Sequence, residues 1–405
     1  MRILFITDNF PPEVNAPANR THEHCREWVK KGAEVTVITC VPNFPKGKVY
    51  SGYKNKWKQE ETIDGIRVIR VWSFITANEG FVRRILDYIS FSITSFLVGL
   101  WVKTDVIVAT SPQFFTAISG RWLSFFKRKP WVFEVRDLWP ESIIAVGAMK
   151  RNRIIRFFEW IEKRLYKNAT RIVVVTDTFK EKIIARGISE AKITVHKNGA
   201  NLEIYQSQPK NTALLRQLNL EDKVVFAYIG THGMAHGLDF ILKSIATVHI
   251  QRPDFHFLFI GDGAERDHLI ALNQKLALKN TTFIPSVPKN EVTEYLSIID
   301  FALVNLRKSD TFKTVIPSKI FEAAAMNKPI LLGLEGETQG MIESFGAGLC
   351  FEPENKDDFL AKLEQISDSN LQASFINGCQ ELASTFDRKK IAAELLETIA
   401  SCQKK

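Results

Sequence analysis

Phe301-Ala-Leu-Val-Asn-Leu306, a polar loop from Arg307 to Val315, and Pro317-Ser318-Lys319-Ile320-Phe321-Glu322-Ala323-Ala-Ala-Met-Asn-Lys-Pro329-Ile330-Leu331 form the stretch that decides the fold. The first run is short and mostly apolar, as a buried strand is. Ser318 stands just before a series of good helix formers, and Pro329 ends that series ahead of a second apolar run. Strand, loop, helix and strand in this order make a parallel βαβ unit. A helix N-terminus in such a unit can hold an anion with its backbone N–H groups and its dipole. Lys319 would add a positive charge, and Glu322 an acceptor for hydroxyl groups. The same residues also read as a capping serine followed by two solvated charges, and the stretch alone leaves both open.

Working outward, the alternation continues in both directions. Strand candidates in the first half are Ile3–Thr7, Glu34–Thr39, Val68–Trp72, Val106–Thr110, Trp131–Val135 and Ile172–Thr176, with helical patterns at Asn19–Lys31, Phe81–Val102, Phe114–Phe126 and Ile154–Tyr166. A turn at Asn198-Gly199 closes this series. A second one has strand candidates Val224–Ile229, Phe255–Ile260, Thr281–Ile284, Phe301–Leu306 and Pro329–Leu332, with helices at Leu238–His249 and Arg266–Leu278 and a helical tail over about 355–402. The expected fold is therefore α/β, with two facing Rossmann-like domains, a cleft between them and a helical C-terminal tail. The division is 1–200, a polar linker at 201–222, 223–385, and a last helix, 386–405, returning towards the N-terminal domain. Ligands of such sheets bind beyond the carboxyl ends of the strands.

Charge is unevenly spread. Residues 1–200 carry 33 Lys and Arg against 19 Asp and Glu, a net of +14, and the remainder carries 21 against 26, a net of −5, for +9 overall. No nucleic-acid-binding motif accompanies the basic half, so an anionic membrane surface or a lipid pyrophosphate is the expected partner rather than nucleic acid. Five cysteines without a close pair give neither a disulfide framework nor a zinc spacing, and fit a reducing cytoplasm. The segment Phe81–Lys103 is the most apolar. Its fifteen uncharged residues, Tyr88 to Val102, fall short of the ~20 that a spanning helix needs. Flanked by Arg83, Arg84, Trp101 and Lys103, and followed by Arg121, Lys127, Arg128 and Lys129, it suggests peripheral binding to the inner face of the plasma membrane, the alternative being an ordinary buried crossover helix.

Five loops after strands carry candidate chemistry. Asp8-Asn9-Phe10-Pro11-Pro12-Glu13-Val14-Asn15 leads into a helix containing Arg20. Glu134-Val135-Arg136-Asp137-Leu138-Trp139-Pro140-Glu141 gathers three carboxylates and an arginine. Gly230-Thr231-His232-Gly233-Met234-Ala235-His236-Gly237 opens the second series, followed by Gly261-Asp262-Gly263 and by Pro285-Ser286-Val287-Pro288.

Together with the Pro-Ser-Lys…Glu322 stretch, these loops resemble, in order and over essentially the whole chain, the family-4 retaining glycosyltransferases of GT-B fold. The resemblance implies that Gly230, Thr231, His232, Gly233, His236, Gly261, Gly263, Val287, Ser318, Lys319 and Glu322 bind a nucleotide-sugar, with Asp137 and Glu322 as the catalytic pair. It places Pro12, Asn15, Arg20, Arg136 and Glu141 on the acceptor or sugar side. Departures from the family pattern are Asn15-Ala16-Pro17-Ala18 for a glycine turn, Arg136 for a histidine, and Thr231 and His236 for an arginine and a lysine. Thr314 stands in the place of the first glutamate of the acidic pair. That last departure is shared with the WbuB-type amino-sugar transferases of O-antigen and capsule pathways. The implied reaction moves a sugar, an N-acetylated deoxyhexosamine, from a UDP-sugar to a lipid-linked glycan acceptor, with retention. No Asp-x-Asp occurs in the sequence, so the expectation is leaving-group stabilisation without a metal or cofactor. A nucleotide-sugar 2-epimerase of the same fold and a non-catalytic nucleotide-sugar-binding subunit are the alternatives.

Overall fold

The computed structural model describes residues 1–44, 47–76, 81–111, 114–145, 151–366 and 369–403. They form two compact units, Met1–Lys197 with Arg388–Lys405, and Asn198–Asp387.

The first unit is built on eight strands: β1 Arg2–Ile6, β2 Glu34–Cys40, β3 Lys58–Ile63, β4 Ile66–Val71, β5 Val106–Thr110, β6 Trp131–Val135, β7 Arg171–Val174 and β8 Ile193–Val195. Their order is β3-β4-β2-β1-β5-β6-β7-β8, and all neighbours run parallel except the hairpin β3–β4. Helices cover both faces, which is why β5 and β6 are buried along their whole length. The strand β3 is absent from the sequence-based expectation. Its residues, KQEETI, are polar because it is an edge strand, although Asp64-Gly65, at φ 49° and 78°, carries the hairpin signal. The helix Arg388–Ser401 closes one face of this sheet. Ala392, Leu395 and Ile399 pack with Ile3, Phe5 and Trp28, the Trp28 indole donates to the Ala392 carbonyl (2.8 Å), and Arg388 pairs with buried Glu23 (2.7 Å).

The second unit carries β9 Val224–Ile229, β10 Phe255–Ile260, β11 Thr281–Ile284, β12 Phe301–Asn305, β13 Ile330–Gly333 and β14 Gly348–Phe351, all parallel, in the order β11-β10-β9-β12-β13-β14. Residues 201–222, expected as a linker, belong to this unit. Tyr205, Leu215 and Leu220 are buried in its core, and the helix Thr212–Gln217 is capped by Asn211. The apolar anchors stand too far apart to show a period. The chain reverses its progress across each sheet at one place, between β1 and β5 and between β9 and β12, and these reversals fix where loops splay apart to leave a crevice.

Candidate functional site

At the reversal of the second sheet, the loops after β9 and β10 are bonded to each other. The N–H groups of Gly230 and His232 donate to the carbonyls of Ile260 and Asp262 (both 2.9 Å), and Glu265 N–H returns to the His232 carbonyl (2.9 Å). A Cβ on Gly261 would stand 1.9 Å from the Gly230 carbonyl oxygen, and one on Gly263 2.5 Å from that of His232. Gly261 and Gly263 thus serve backbone-to-backbone packing rather than ligand approach. The N–H groups of Gly230 and His232 are thereby engaged within the protein. From the other side, Asn305 Nδ2 donates to the His236 carbonyl (2.7 Å), Arg307 N–H to that of Ala235 (2.8 Å) and Arg307 Nε to that of Met234 (2.7 Å).

Lys319 rises into this frame. Its Nζ lies 3.7 Å from the centroid of the Tyr228 ring, and it packs so closely on Gly230 that a Cβ there would meet it at 2.9 Å. It has no salt-bridge partner among the described residues, and burial pulls its ammonium down to about 7 against the attraction of Glu322. Tyr228, which sequence reasoning did not single out, is itself fixed by its hydroxyl on the Thr231 carbonyl (2.8 Å). Lys319 and Glu322 line one small cavity with Ile229, Ala302 and Val304.

Other expected donor residues fall around it differently. The helix Lys319–Ala325 has only seven residues, and Ser318 makes no capping hydrogen bond, so the dipole contribution expected at this place is small. Burial, reinforced by Lys319, pushes both His232 and His236 down to about 4. Both are neutral near pH 7 and do not replace a cation. His232 is wholly buried, with neither ring nitrogen hydrogen-bonded. Thr231 is exposed and Gly233 half-exposed. The Val287 side chain packs on the core, its loop remaining at the surface. Thr314 is buried, its hydroxyl given to the Thr311 carbonyl (2.8 Å).

In the first unit, the loops after β1 and β2 border a cavity of about 410 Å³ whose lining includes Asp8, Glu13, Asn15, Asn43, Arg84 and Asp87. Glu13 is 2% exposed, and its Oε1 accepts from the N–H groups of Asn43 (2.8 Å) and Phe44 (2.9 Å), welding the two loops. Burial raises the Asp8 and Glu13 carboxyls above their ordinary range. Burial, reinforced by Asp8, pushes Asp87 up to about 7. None of these three carboxylates was expected at a site. Asn15 caps the helix Ala16–Lys30 and also donates to Asn9 (2.8 Å). Pro12 is exposed and lies outside the cavity lining.

The acceptor-side charges divide. Arg20 is 3% exposed and locked onto Glu134. Burial pushes the Glu134 carboxyl up, but Arg20 and Arg136 hold it below its ordinary value. Glu141 is bound to Lys182 (2.5 Å) and Arg186 (2.9 Å). Arg20 and Glu141 are thus both engaged in ion pairs within the first unit. Asp137 and Arg136 remain half-exposed, both N–H groups on the Ser111 hydroxyl (3.1 and 2.7 Å). Burial raises the Asp137 carboxyl and pulls the Arg136 guanidinium down to about 10.

A family model described as "Glycosyl transferase 4-like domain" matches residues 15–199, and one described as "Glycosyl transferases group 1" matches residues 211–381. The chain belongs to the family-4 glycosyltransferases. WcaI of Escherichia coli (strain K12), named for colanic acid biosynthesis, is 24% identical over 378 residues, covering 90% of this chain and 92% of its own. Among solved structures, HepE of Anabaena in complex with UDP and glucose superposes with a TM-score of 0.73 at 16% identity, covering 99% of this chain and 100% of that one. A sucrose-phosphate synthase from Thermosynechococcus elongatus does so with a TM-score of 0.75 at 16% identity, covering 99% and 98%. These likenesses establish the GT-B fold for this glycosyltransferase. Its donor-side candidates lie in the second unit, and of its acceptor-side candidates in the first unit Asn15 lines the carboxylate pocket while Arg20 and Glu141 are held in ion pairs.

Proposed function

We propose that the enzyme moves an N-acetylated deoxyhexosamine from a UDP-sugar to a lipid-linked glycan in bacterial surface polysaccharide synthesis, with retention and without a metal or other cofactor. The observation that carries this reading is the Lys319 ammonium, held over Tyr228 and against Gly230 with no salt-bridge partner among the described residues. A preorganised cation at a sheet reversal suits a departing diphosphate, because its position is fixed before charge develops. Glu322 holds ribose hydroxyls, and Asp137 orients a sugar hydroxyl. The acceptor oxygen bonds to the anomeric carbon as the bond to the diphosphate breaks, and its proton passes to the departing diphosphate. No side chain serves as a nucleophile. The relatives support the setting: WcaI is named for colanic acid biosynthesis, and HepE has been solved with UDP and glucose. The amino-sugar assignment rests on the sequence likeness to the WbuB-type subgroup, and the work is proposed to take place on the cytoplasmic face of the membrane.

The test is titration calorimetry with UDP. Lys319→Met should weaken binding roughly 10- to 100-fold, the worth of one charge-assisted contact to phosphate. Unchanged affinity would overturn the donor site. Turnover that depends strictly on a divalent ion, abolished by EDTA and restored by that ion, would overturn the metal-free mechanism.

A further inference from the structure

Eleven of the eighteen exposed large apolar side chains among the described residues lie along three helical segments of the first unit. The helix Phe81–Gly99 buries Phe91 and Val98 against the sheet. Its opposite side presents Leu86, Ile89, Ile93 and Leu97, with Trp101 just beyond its end 89% exposed. These five recur every third or fourth residue, so they form one stripe, and no charged residue occurs from Tyr88 to Trp101. The outer face of a surface helix is ordinarily polar, and this one is not.

The stripe continues. Phe96 touches Phe126 (ring centroids 5.6 Å apart) on the helix Phe114–Lys127, where Trp122, Phe125 and Phe126 are each more than half exposed and meet one another in edge-on and tilted ring contacts. The third helix, Arg153–Asn168, packs on the second and mixes exposed Ile154, Phe157 and Trp160 with exposed Arg153, Arg156, Lys163, Arg164 and Lys167. There Arg164 lies 4.3 Å over the Trp160 ring. Trp160, Lys163, Arg164, Lys167 and Asn168 line a surface hollow of about 340 Å³ that has no carboxylate in its lining.

We infer that this three-helix face is the surface by which the enzyme seats itself in an anionic lipid bilayer, the apolar stripe entering the acyl boundary and the Trp160 hollow receiving a lipid phosphate. Tryptophan and basic side chains around an apolar helix face match the interface of a membrane rather than its interior, and among the described residues no helix is long and apolar enough to cross one. A second copy of the chain is the poorer occupant, since the basic helix would meet its own charge. The sequence pointed instead to Lys127, Arg128 and Lys129 as lipid-binding charges. Lys127 is spent on the Leu100 carbonyl (2.9 Å), which leaves insertion rather than that basic cluster as the main attachment. The inference bears on the lipid-linked acceptor proposed above but does not rest on the donor site.

Vesicle flotation with the full chain tests it, using phosphatidylglycerol-containing and pure phosphatidylcholine vesicles. Binding to the anionic vesicles should survive about 0.5 M salt, where charges are screened beyond a few ångströms. Ile93→Ser/Leu97→Ser/Trp101→Ser should lower it at least ~30-fold, since apolar burial sets the strength of interfacial binding. Lys163→Ala/Arg164→Ala/Lys167→Ala should erase the preference for the anionic lipid while leaving weak binding to both. UDP affinity measured on the same samples should be unchanged in both variants, which shows that they fold and keeps this test separate from that of the donor site. Absence of vesicle binding by the native chain, or loss of all binding in high salt, would overturn the inference. So would a dimer in light scattering that the Ile93/Leu97/Trp101 variant abolishes, since the face would then be covered by a second copy.

Discussion

The Lys319 site of the second unit, the proposed donor site, and the cavity of the first sit at equivalent reversals of two similar sheets, yet their electrostatics are opposite. The second holds a desolvated ammonium with no salt-bridge partner among the described residues, and its loops are locked by backbone hydrogen bonds and by glycines that admit no side chain. The first holds Asp8, Glu13 and Asp87, all with carboxyls pushed above their ordinary range by burial, around a cavity of about 410 Å³. One fold thus presents a cationic place and an acidic one by changing only the loops at the ends of its strands. An acidic pocket repels phosphates and uronates. The sugar end of the acceptor is therefore expected to be neutral or amino-bearing, with any pyrophosphate held elsewhere.

Four measurements bear on that contrast. The largest effect is expected from Arg20→Ala, which would strip buried Glu134 of its ion pair. Stability should fall by about 3–5 kcal/mol, read as a lower melting temperature of the first unit, with UDP affinity of any folded protein intact. Were Arg20 a sugar contact instead, activity would fall with little change in melting. Next, Gly261→Ala drives a methyl group into the Gly230 carbonyl, so about 3 kcal/mol of local strain and a large loss of UDP affinity should appear together. Gly230→Ala should cost less stability, because the nearest atom it meets is a side-chain end, Lys319 Nζ at 2.9 Å, rather than backbone.

The third concerns pH. In the empty site Lys319 titrates near 7, and a bound diphosphate must raise that value. Binding then takes up a proton above pH 7. Affinity for UDP should be full below about pH 7 and fall by up to ~tenfold per pH unit above it, until the raised value of the complex is reached. In Lys319→Met this slope should vanish, and a slope that persists would move the titrating group elsewhere. The smallest effect belongs to Asp87→Asn. Since Asp87 gains its charge near pH 7, the variant should resemble the native enzyme at low pH, remove a roughly threefold pH-dependence of acceptor KM, and leave donor KM alone.

Most of the architecture was readable in the sequence because parallel strands buried on both faces are continuous apolar runs, as β5, β6 and β12 are. The edge strand β3 was hidden by its charges, and the anchors at Tyr205, Leu215 and Leu220 by their irregular spacing. Lys319 was visible as a lysine at a helix start after a strand. The Tyr228 ring beneath it was not, since inside a strand it reads as core. Arg20 and Glu134 stand 114 residues apart in sequence, and no local pattern announces that they neutralise each other. Asp87 lies in the most apolar helix of the chain and read as an interruption of that helix rather than as the wall of a cavity. The histidines show the opposite failing. Their identity suggested charge, and only their burial beside a cation shows that they carry none.

The helix Arg388–Ser401 completes the first sheet, although all of the second unit separates it from the strands it covers. During synthesis the ribosome therefore delivers residues 198–387 in full while Trp28, Ile3 and Phe5 still lack their cover. The first-made half of the enzyme is the last to be finished, and it must wait with an apolar face open. A chain halted at residue 387 would carry a finished second unit and an uncovered first one, with that open face marking it for chaperones and proteases.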